Sequence, residues 1–304
     1  MKATIRRQLD LPGLPSASGI EILGPTAYII GDDSPFLYCL DTRNLAITDR
    51  VTLFETTEFG SGRIPKKLKP DLECLTALTT PAGETGLLIC GSGATAARET
   101  GYWVTLAAGS RAATVQPLAL SDLYASLRES LPAGVTLNLE AVAASATELL
   151  LFQRTVGSAK GNLVYRLPLA ATWEYVQGRT ARVPAFRPQF YQLPTIEGFP
   201  AGFSGATVFG EQLFVTASVE DTHDAVADGA VLGSFVGVLP LAEPSQEVPL
   251  VPLTQLVLPD GQPYRGKVES IAVYQPLGPG QWEVILVTDD DAGGSTAVVV
   301  ELLA

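Results

Sequence analysis

A short sequence pattern recurs five times along the chain and constrains the fold more than any other feature. Each copy has a Glu or a polar substitute, then a small or apolar residue, then an apolar run. Clear copies begin at Glu73, Glu140 and Glu269, and weaker copies begin at Glu21 and Ser204. The starts lie 52 to 67 residues apart. Repeats of this length, built from short apolar runs and turns, are typical of propeller blades, so the pattern predicts five blades.

Other apolar runs predict the remaining strands of each unit. Second strands are expected at 27–30, 87–90, 149–152, 213–216 and 284–287, third strands at 36–40, 102–106, 162–167, 234–239 and 296–302, and less regular fourth strands at 47–54, 114–120, 182–193 and 248–258. The fifth unit has no fourth strand before the chain ends, whereas residues 3–10 form a strand-like run before the first Glu. We therefore expect residues 3–10 to pair with 296–303, which closes the ring and removes an exposed sheet edge.

The predicted fold class is all-β, with residues 1–304 forming a single β-propeller domain of five four-stranded blades closed by the N-terminal strand. Six blades, or a pair of β-sandwiches, are the alternatives. One segment departs from the β pattern: Ser121–Glu129 has helical apolar spacing and is expected to form a short helix capped by Ser121. Trp103, Trp173 and Trp282 lie in or beside strands and are expected to pack between blades.

Composition limits the partners and the compartment. The formal charge of −12 opposes binding to a phosphate backbone, so no nucleic-acid partner is expected. No apolar stretch has the length of a membrane helix or of a signal peptide, and the three cysteines lie in apolar runs that imply no disulfide framework. We expect a soluble, cytoplasmic monomer without a membrane partner, and export stays open if a signal peptide has been removed.

Carboxylates at the starts of the first strands predict a metal site. In a propeller these strands line the central channel, so Glu21, Glu73, Glu140 and Glu269 are expected to face one another, with Ser204 in the fourth blade. Buried carboxylates that repel one another must be protonated, paired with Arg or Lys, or neutralised by a cation. Ca²⁺ is the expected cation because it accepts many oxygen ligands. The alternatives are that each Glu caps its strand by accepting backbone N–H bonds, or that the glutamates contact a substrate directly.

Basic residues near the same face predict a small anionic ligand. Arg98 and Arg154 follow equivalent second strands, Lys69 precedes Glu73, and Ser92 lies between two glycines that offer backbone N–H groups. Together with a cation, these groups are suited to a phosphorylated or carboxylated ligand, although an ordinary surface ion pair is the simpler explanation for any one of them. The single histidine, His223, does not make a catalytic triad with any recognisable nucleophile, so no catalytic residue is assigned.

Three segments carry a resemblance to a known group of proteins. They are 91–98, 151–154 with Asn162, and 267–269 followed by 289–291, and with the Glu pattern they resemble an uncharacterised bacterial β-propeller family over about residues 70–300. That family is in turn similar to esterase-like phytases, and the five-fold count is similar to that of calcium-dependent apyrases. The resemblance implies a propeller fold and hydrolysis of phosphoesters or other esters. Ser204 departs from the acidic pattern, and no clear proton donor or nucleophile is present.

Two functions follow from these observations. The first is a ligand-binding or scaffold propeller with a cation in its central channel. The second is a calcium-dependent phosphoesterase in which the cation polarises a phosphoryl oxygen, Arg98 and Arg154 hold the anion, and Glu73 or Glu140 activates water. Because propellers serve many unrelated functions, the fold does not decide between them.

Overall fold

Five antiparallel four-stranded sheets are present in the computed structural model, which describes residues 1–106, 113–155, 162–222, 229–244, 246 and 248–304. The chain starts with β1 (Lys2–Asp10), which belongs to the last sheet. Blade 1 contains β2 (Ala17–Leu23), β3 (Thr26–Gly31), β4 (Phe36–Asp41) and β5 (Ile47–Thr52). Blade 2 contains β6 (Leu72–Thr79), β7 (Thr85–Gly91), β8 (Thr100–Leu106) and β9 (Ala113–Ala119).

The second half of the chain repeats this arrangement. Blade 3 contains β10 (Leu139–Ala144), β11 (Glu148–Gln153), β12 (Leu163–Pro168) and β13 (Arg187–Phe190), and a small hairpin of β14 (Thr195–Ile196) and β15 (Phe199–Pro200) follows it. Blade 4 contains β16 (Gly202–Phe209), β17 (Gln212–Glu220), β18 (Val231–Pro240) and β19 (Thr254–Gln255). Blade 5 contains β20 (Lys267–Gly278), β21 (Gln281–Asp289) and β22 (Ser295–Leu303), with β1 as its outer strand.

The five sheets form a closed ring. The first strands contact one another in the order β2, β6, β10, β16, β20 and back to β2. β1 pairs with β22 from Lys2 opposite Leu303 to Asp10 opposite Thr296, which confirms the predicted closure by the N-terminal strand. The all-β class and the five-bladed propeller are therefore confirmed.

The hydrophobic core is divided among the interfaces between blades. Five clusters of buried apolar side chains are present, and each joins two neighbouring blades of the ring. The tryptophans take part as predicted: Trp103 of blade 2 packs edge-on against Trp173 of blade 3, and Trp282 of blade 5 packs against Phe214 of blade 4. Such aromatic pairs add about 0.5–1.5 kcal/mol to the stabilisation from apolar burial.

Each first strand contains a β-bulge near its start. Near the start of each first strand the pairing register with the second strand shifts at one residue, and these residues are Ser18, Glu73, Glu140, Ser204 and Glu269. The first strand of blade 5 has two further shifts nearer its end. A bulge leaves one residue unpaired and re-aims its side chain. The bulges therefore set apart one residue of each blade at the same end of the channel.

Two α-helices and a 3₁₀ helix (Ala96–Arg98) interrupt the β pattern in the part of the chain that the structure describes. Helix α1 (Ser121–Glu129) has the predicted bounds, but Leu120 occupies the N-cap position, so Ser121 is the first helical residue and not the cap. Helix α2 (Leu169–Val176) was not predicted, and it contains Trp173. Neither helix, nor any other helix in the described ranges, is long and apolar enough to cross a membrane.

Candidate functional site

A polar cavity opens at the end of the channel where the first strands begin. We call it the channel mouth. Its volume is about 600 Å³, and it is lined by the starts of the first strands, the loops after the second strands, and part of the connection between blades 1 and 2. The described residues that line it include nine carboxylates and six basic side chains. The mouth therefore has an excess of three negative charges when all of these groups are ionised.

Most of these charges belong to two separate groups of ion pairs. The first, which we call the blade 1–2 network, consists of Asp32, Asp33, Asp71, Arg63, Lys69 and Arg98. Lys69 pairs with Asp32 and lies 2.8 Å from Asp71, whose other oxygen accepts a bond of 2.8 Å from Arg98. Asp32, Asp71 and Glu73 each place an oxygen within 4.8 Å of the others. The Lys69 ammonium contacts the first two of them, and Arg98 supplies the second positive charge.

The second group, the blade 3–5 network, consists of Glu140, Glu220, Glu269, Asp291, Arg154 and Lys267. Arg154 is buried and donates to Glu220 at 2.9 Å and to Glu140 at 3.4 Å. Lys267 lies 3.1 Å from Glu269 and 3.4 Å from Glu220. Four carboxylates thus share two cations, so this network holds most of the excess negative charge.

Arg154 reaches the other blades because Gly202 leaves room for it. A Cβ atom at Gly202 would lie 2.6 Å from Cγ of Arg154, which is too close for any side chain to fit without displacing it. The arginine of blade 3 consequently crosses to Glu220 of blade 4 and Glu269 of blade 5. It joins the three blades at one side of the mouth.

Three of the predicted metal ligands line the mouth, but among the described residues only Glu73 belongs to a group of carboxylates, with Asp32 and Asp71, whose oxygens lie within 4.8 Å of one another. Glu73, Glu140 and Glu269 occupy the bulge positions of blades 2, 3 and 5 and line the same cavity. Burial raises the pKa of Glu73 well above its ordinary value, and repulsion from Asp71 and Glu140 raises it further. Burial also raises the pKa of Glu269 to about 8, although Lys267 and Arg154 oppose the shift. The mouth therefore holds carboxylates that are costly to ionise without an added positive charge.

The fourth predicted ligand, Glu21, lies elsewhere. It is three residues beyond the bulge of its strand, where Ser18 takes the place that glutamate has in blades 2, 3 and 5, and it is not among the residues that line the mouth. Its carboxylate accepts backbone N–H bonds from Ile22 at 3.0 Å and Ala77 at 3.1 Å. Glu21 thus matches the capping alternative. Among the described backbone N–H groups, none donates to the other three glutamates.

The predicted anion-binding residues are all engaged by carboxylates. Lys69, Arg98 and Arg154 line the mouth in the ion pairs described above. Ser92 is buried, does not line the mouth, and donates to Asp71. His223 lies outside the described residues.

Several site residues were not singled out from the sequence. Asp71, just before β6, lies two residues before a bulge glutamate, as does Lys267, which was noted from the sequence only within the resemblance segment 267–269. This spacing was a usable signal, and it also applies to Asn138, which donates to Glu140. Arg63, which pairs with Asp33, lies in the irregular connection between blades 1 and 2, where no periodic pattern predicts its position.

The fold and this site define the class: a five-bladed β-propeller with a charged, predominantly acidic channel mouth. The chain belongs to a family of unknown function, DUF6929, whose model matches residues 13–302. The expectation of an uncharacterised propeller family is thereby confirmed, and the similarity to phytases stays a prediction. A comparison with curated proteins finds no match.

Solved propellers are similar to this chain at low identity. Glutaminyl cyclase of Myxococcus xanthus is 10% identical, with 99% of this chain and 97% of that chain covered and a TM-score of 0.47. The α-L-arabinanase of Cellvibrio cellulosa is 13% identical, with 96% and 91% covered and a TM-score of 0.47. The Pan2 WD40 domain of Neurospora crassa is 10% identical, with 99% and 95% covered and a TM-score of 0.41. Similarity at this level carries no information about activity.

Proposed function

We propose that this protein is a ligand-binding propeller that takes a positively charged ligand into its channel mouth, with Glu73, Glu140 and Glu269 as the central binding groups. One observation carries the proposal. Oε2 of Glu269 is buried, accepts no hydrogen bond from a described residue and has only the distant guanidinium of Arg154, at 4.0 Å, as a counter-charge, and the Glu269 side chain is only 7% exposed. A buried carboxylate oxygen without a partner is costly, and a bound cation removes that cost.

Ca²⁺ is the metal ion that these groups suit best. The three glutamates offer hard oxygen ligands, and no described histidine or cysteine lines the mouth to favour a softer metal. The neighbouring Arg154 and Lys267 reduce the net charge that such an ion would meet. Calcium is therefore the first cation to test, and other positively charged ligands are candidates as well.

The test is thermal unfolding in calcium, in magnesium and in a chelator at constant ionic strength. A cation that binds only the folded state adds RT ln(1 + [L]/Kd) to stability, about 2.7 kcal/mol at one hundred times Kd. We expect calcium to raise the melting temperature of the wild type and Glu140→Gln to weaken that response. Glu211→Gln, a change in the exposed turn at the opposite end of β16, is the matched control and should respond as the wild type does. An identical response in all three proteins would contradict this role of Glu140.

The second candidate is the calcium-dependent phosphoesterase. It is favoured by the presence of Arg98, Arg154 and Lys69 in the same mouth as the glutamates. Since each of these cations already pairs with carboxylates, an anion must compete for them. Turnover of nucleotides or inositol phosphates that requires calcium and is lost in Arg98→Ala would support hydrolysis. No turnover of either substrate class with calcium present would contradict hydrolysis, and cation binding would be the remaining function.

A further inference from the structure

Three carboxylate oxygens of residues that line the mouth are buried and accept no hydrogen bond from a described residue. They are Oδ1 of Asp32 and Oδ1 of Asp33 in the blade 1–2 network, and Oε2 of Glu269 in the blade 3–5 network, although the last of them lies 4.0 Å from the guanidinium of Arg154. The side chains of Asp33 and Glu269 are more than nine-tenths buried. Among the described lining residues, Nε of Arg154 is the one buried donor without a partner. A ligand complementary to this set is therefore rich in hydrogen-bond donors.

These acceptors lie in two places. No ion pair between described residues joins the blade 1–2 network to the blade 3–5 network. Each network nevertheless has at least one open acceptor and lines the same cavity. A ligand that satisfies both needs two donor groups held apart by a spacer.

The rest of the lining indicates the kind of spacer. The apolar residues among the described lining positions are Ala17, Ile64, Pro65 and Ala94, and no aromatic side chain is present. The mouth thus offers no ring for a base or a sugar to stack on. Its volume of about 600 Å³ lies in the range of small-molecule pockets and is far larger than one metal ion fills.

The mouth already binds ammonium groups of its own chain. The Lys69 ammonium lies between Asp32 and Asp71, and the Lys267 ammonium contacts Glu220, Glu269 and Asp291. Both are charge-assisted contacts of the strong kind. The carboxylates are therefore arranged in a way that suits primary ammonium groups.

We infer that the ligand is a small organic cation with two or more primary ammonium groups on an aliphatic spacer, that is, a diamine or polyamine. One ammonium binds the open oxygens of Asp32 and Asp33 beside Glu73, and another binds Oε2 of Glu269 beside Glu140. This inference rests on the proposed function and names the ligand class of the same site.

The experiment is titration calorimetry at constant ionic strength with three matched series. These are α,ω-diamines of three to six carbons, the monoamines of the same lengths, and the diols of the same lengths. Each charge-assisted hydrogen bond contributes enough for about a tenfold change in affinity. We expect one or more diamines to bind at least about tenfold more tightly than the matched monoamine, and the diols to give no heat of binding.

Variants then identify the carboxylates that bind the two ends of the diamine. Glu269→Gln and Asp32→Asn should each lower diamine affinity about tenfold, towards that of the monoamine, whereas Glu211→Gln should bind as the wild type does. Equal affinity for diamines and monoamines, binding of the diols, or the same loss in Glu211→Gln would overturn the inference.

Failure of this inference is distinguishable from failure of the proposed function. If calcium binds in a manner that depends on Glu140 and no diamine binds, the ligand class is wrong and the cation-binding function stands. If neither calcium nor any amine binds, both are wrong.

Discussion

Glu269 is a carboxylate held in a buried position beside charges of both signs. Lys267, Arg154, Glu140 and Glu220 surround it, and burial still raises its pKa from 4.5 to about 8. Glu220, by contrast, has a lowered pKa, because Arg154 and Lys267 together outweigh its burial. Two neighbouring glutamates of one network thus differ in protonation near neutral pH, and a bound cation is expected to ionise Glu269.

The first prediction concerns the pH dependence of stability. Between about pH 4.5 and pH 8 the folded protein holds a proton on Glu269 that the unfolded chain releases, so the stability present at low pH is lost as pH rises through this window. Urea unfolding without added cations should show a smaller decline between pH 5 and pH 8.5 in Glu269→Gln than in wild type. An equal decline in the wild type and in Glu269→Gln would show that Glu269 does not cause the loss of stability with rising pH.

The second prediction concerns ligand affinity at the same residue. Because a cation binds the ionised carboxylates, its affinity should rise as pH increases from 6 to 8.5, with release of protons on binding. Calorimetry in two buffers of different ionisation enthalpy measures that release. Binding that is independent of pH across this range would contradict a role for Glu269 and Glu73.

At the scale of elements, the bulged first strands determine which side chains reach the mouth. The strand pattern was predictable because apolar runs repeat, and helix α1 was predictable from its spacing. The position of the bulge in the first strand was not predictable. Glu21 is the nearest acidic residue in the first repeat, whereas the bulge falls at Ser18. The dipeptide Ser-Gly at 18–19 and again at 204–205 was the available signal, and it aligns blades 1 and 4. Helix α2 follows β12 directly, with Pro168 at its N-cap position, and no side-chain hydrogen bond caps its start.

The third prediction tests the packing of these strands. A Cβ atom at Gly205 would lie 2.6 Å from Cα of Ser270 in the next blade. This contact is to a backbone atom, so relieving it requires one of the two strands to shift. Gly205→Ala should therefore cost about 2 kcal/mol or more, in the range of overpacked cores. Gly60→Ala, with no atom within 4 Å of the new methyl group, is the control and should leave the melting temperature nearly unchanged. Equal melting temperatures for the two variants would mean that the strands do not approach so closely.

At the scale of the whole molecule, the ring depends on a strand from the far end of the sequence. The missing fourth strand of the last repeat made this closure predictable, as did the count of five copies. The ion pairs across the mouth were not predictable, because Arg63–Asp33 and Arg154–Glu220 join residues that no local pattern relates. Such contacts depend on the closed ring itself.

The fourth prediction concerns that closure. Deletion of residues 1–10 should expose the edge of β22 and remove Ala3 and Ile5 from the core, which leads to aggregation or a large loss of stability. The matched pair Ile5→Ala and Ile47→Ala separates packing from strand removal. Ile5 is 3% exposed and Ile47 is 37% exposed, so the first change should cost about 2–5 kcal/mol and the second much less. A truncated protein with unchanged melting temperature and solubility would refute the closure.

The central claim is that the channel mouth binds cations. The most direct measurement is a crystal structure grown with the calcium ion or diamine that raises the melting temperature most. We expect the cation to lie in the mouth, in contact with Glu73, Glu140 or Glu269, with Oε2 of Glu269 as one of its ligands. A structure in which Lys69, Lys267 and the arginines are the only cations in the mouth, with the added cation elsewhere or absent, would contradict the account.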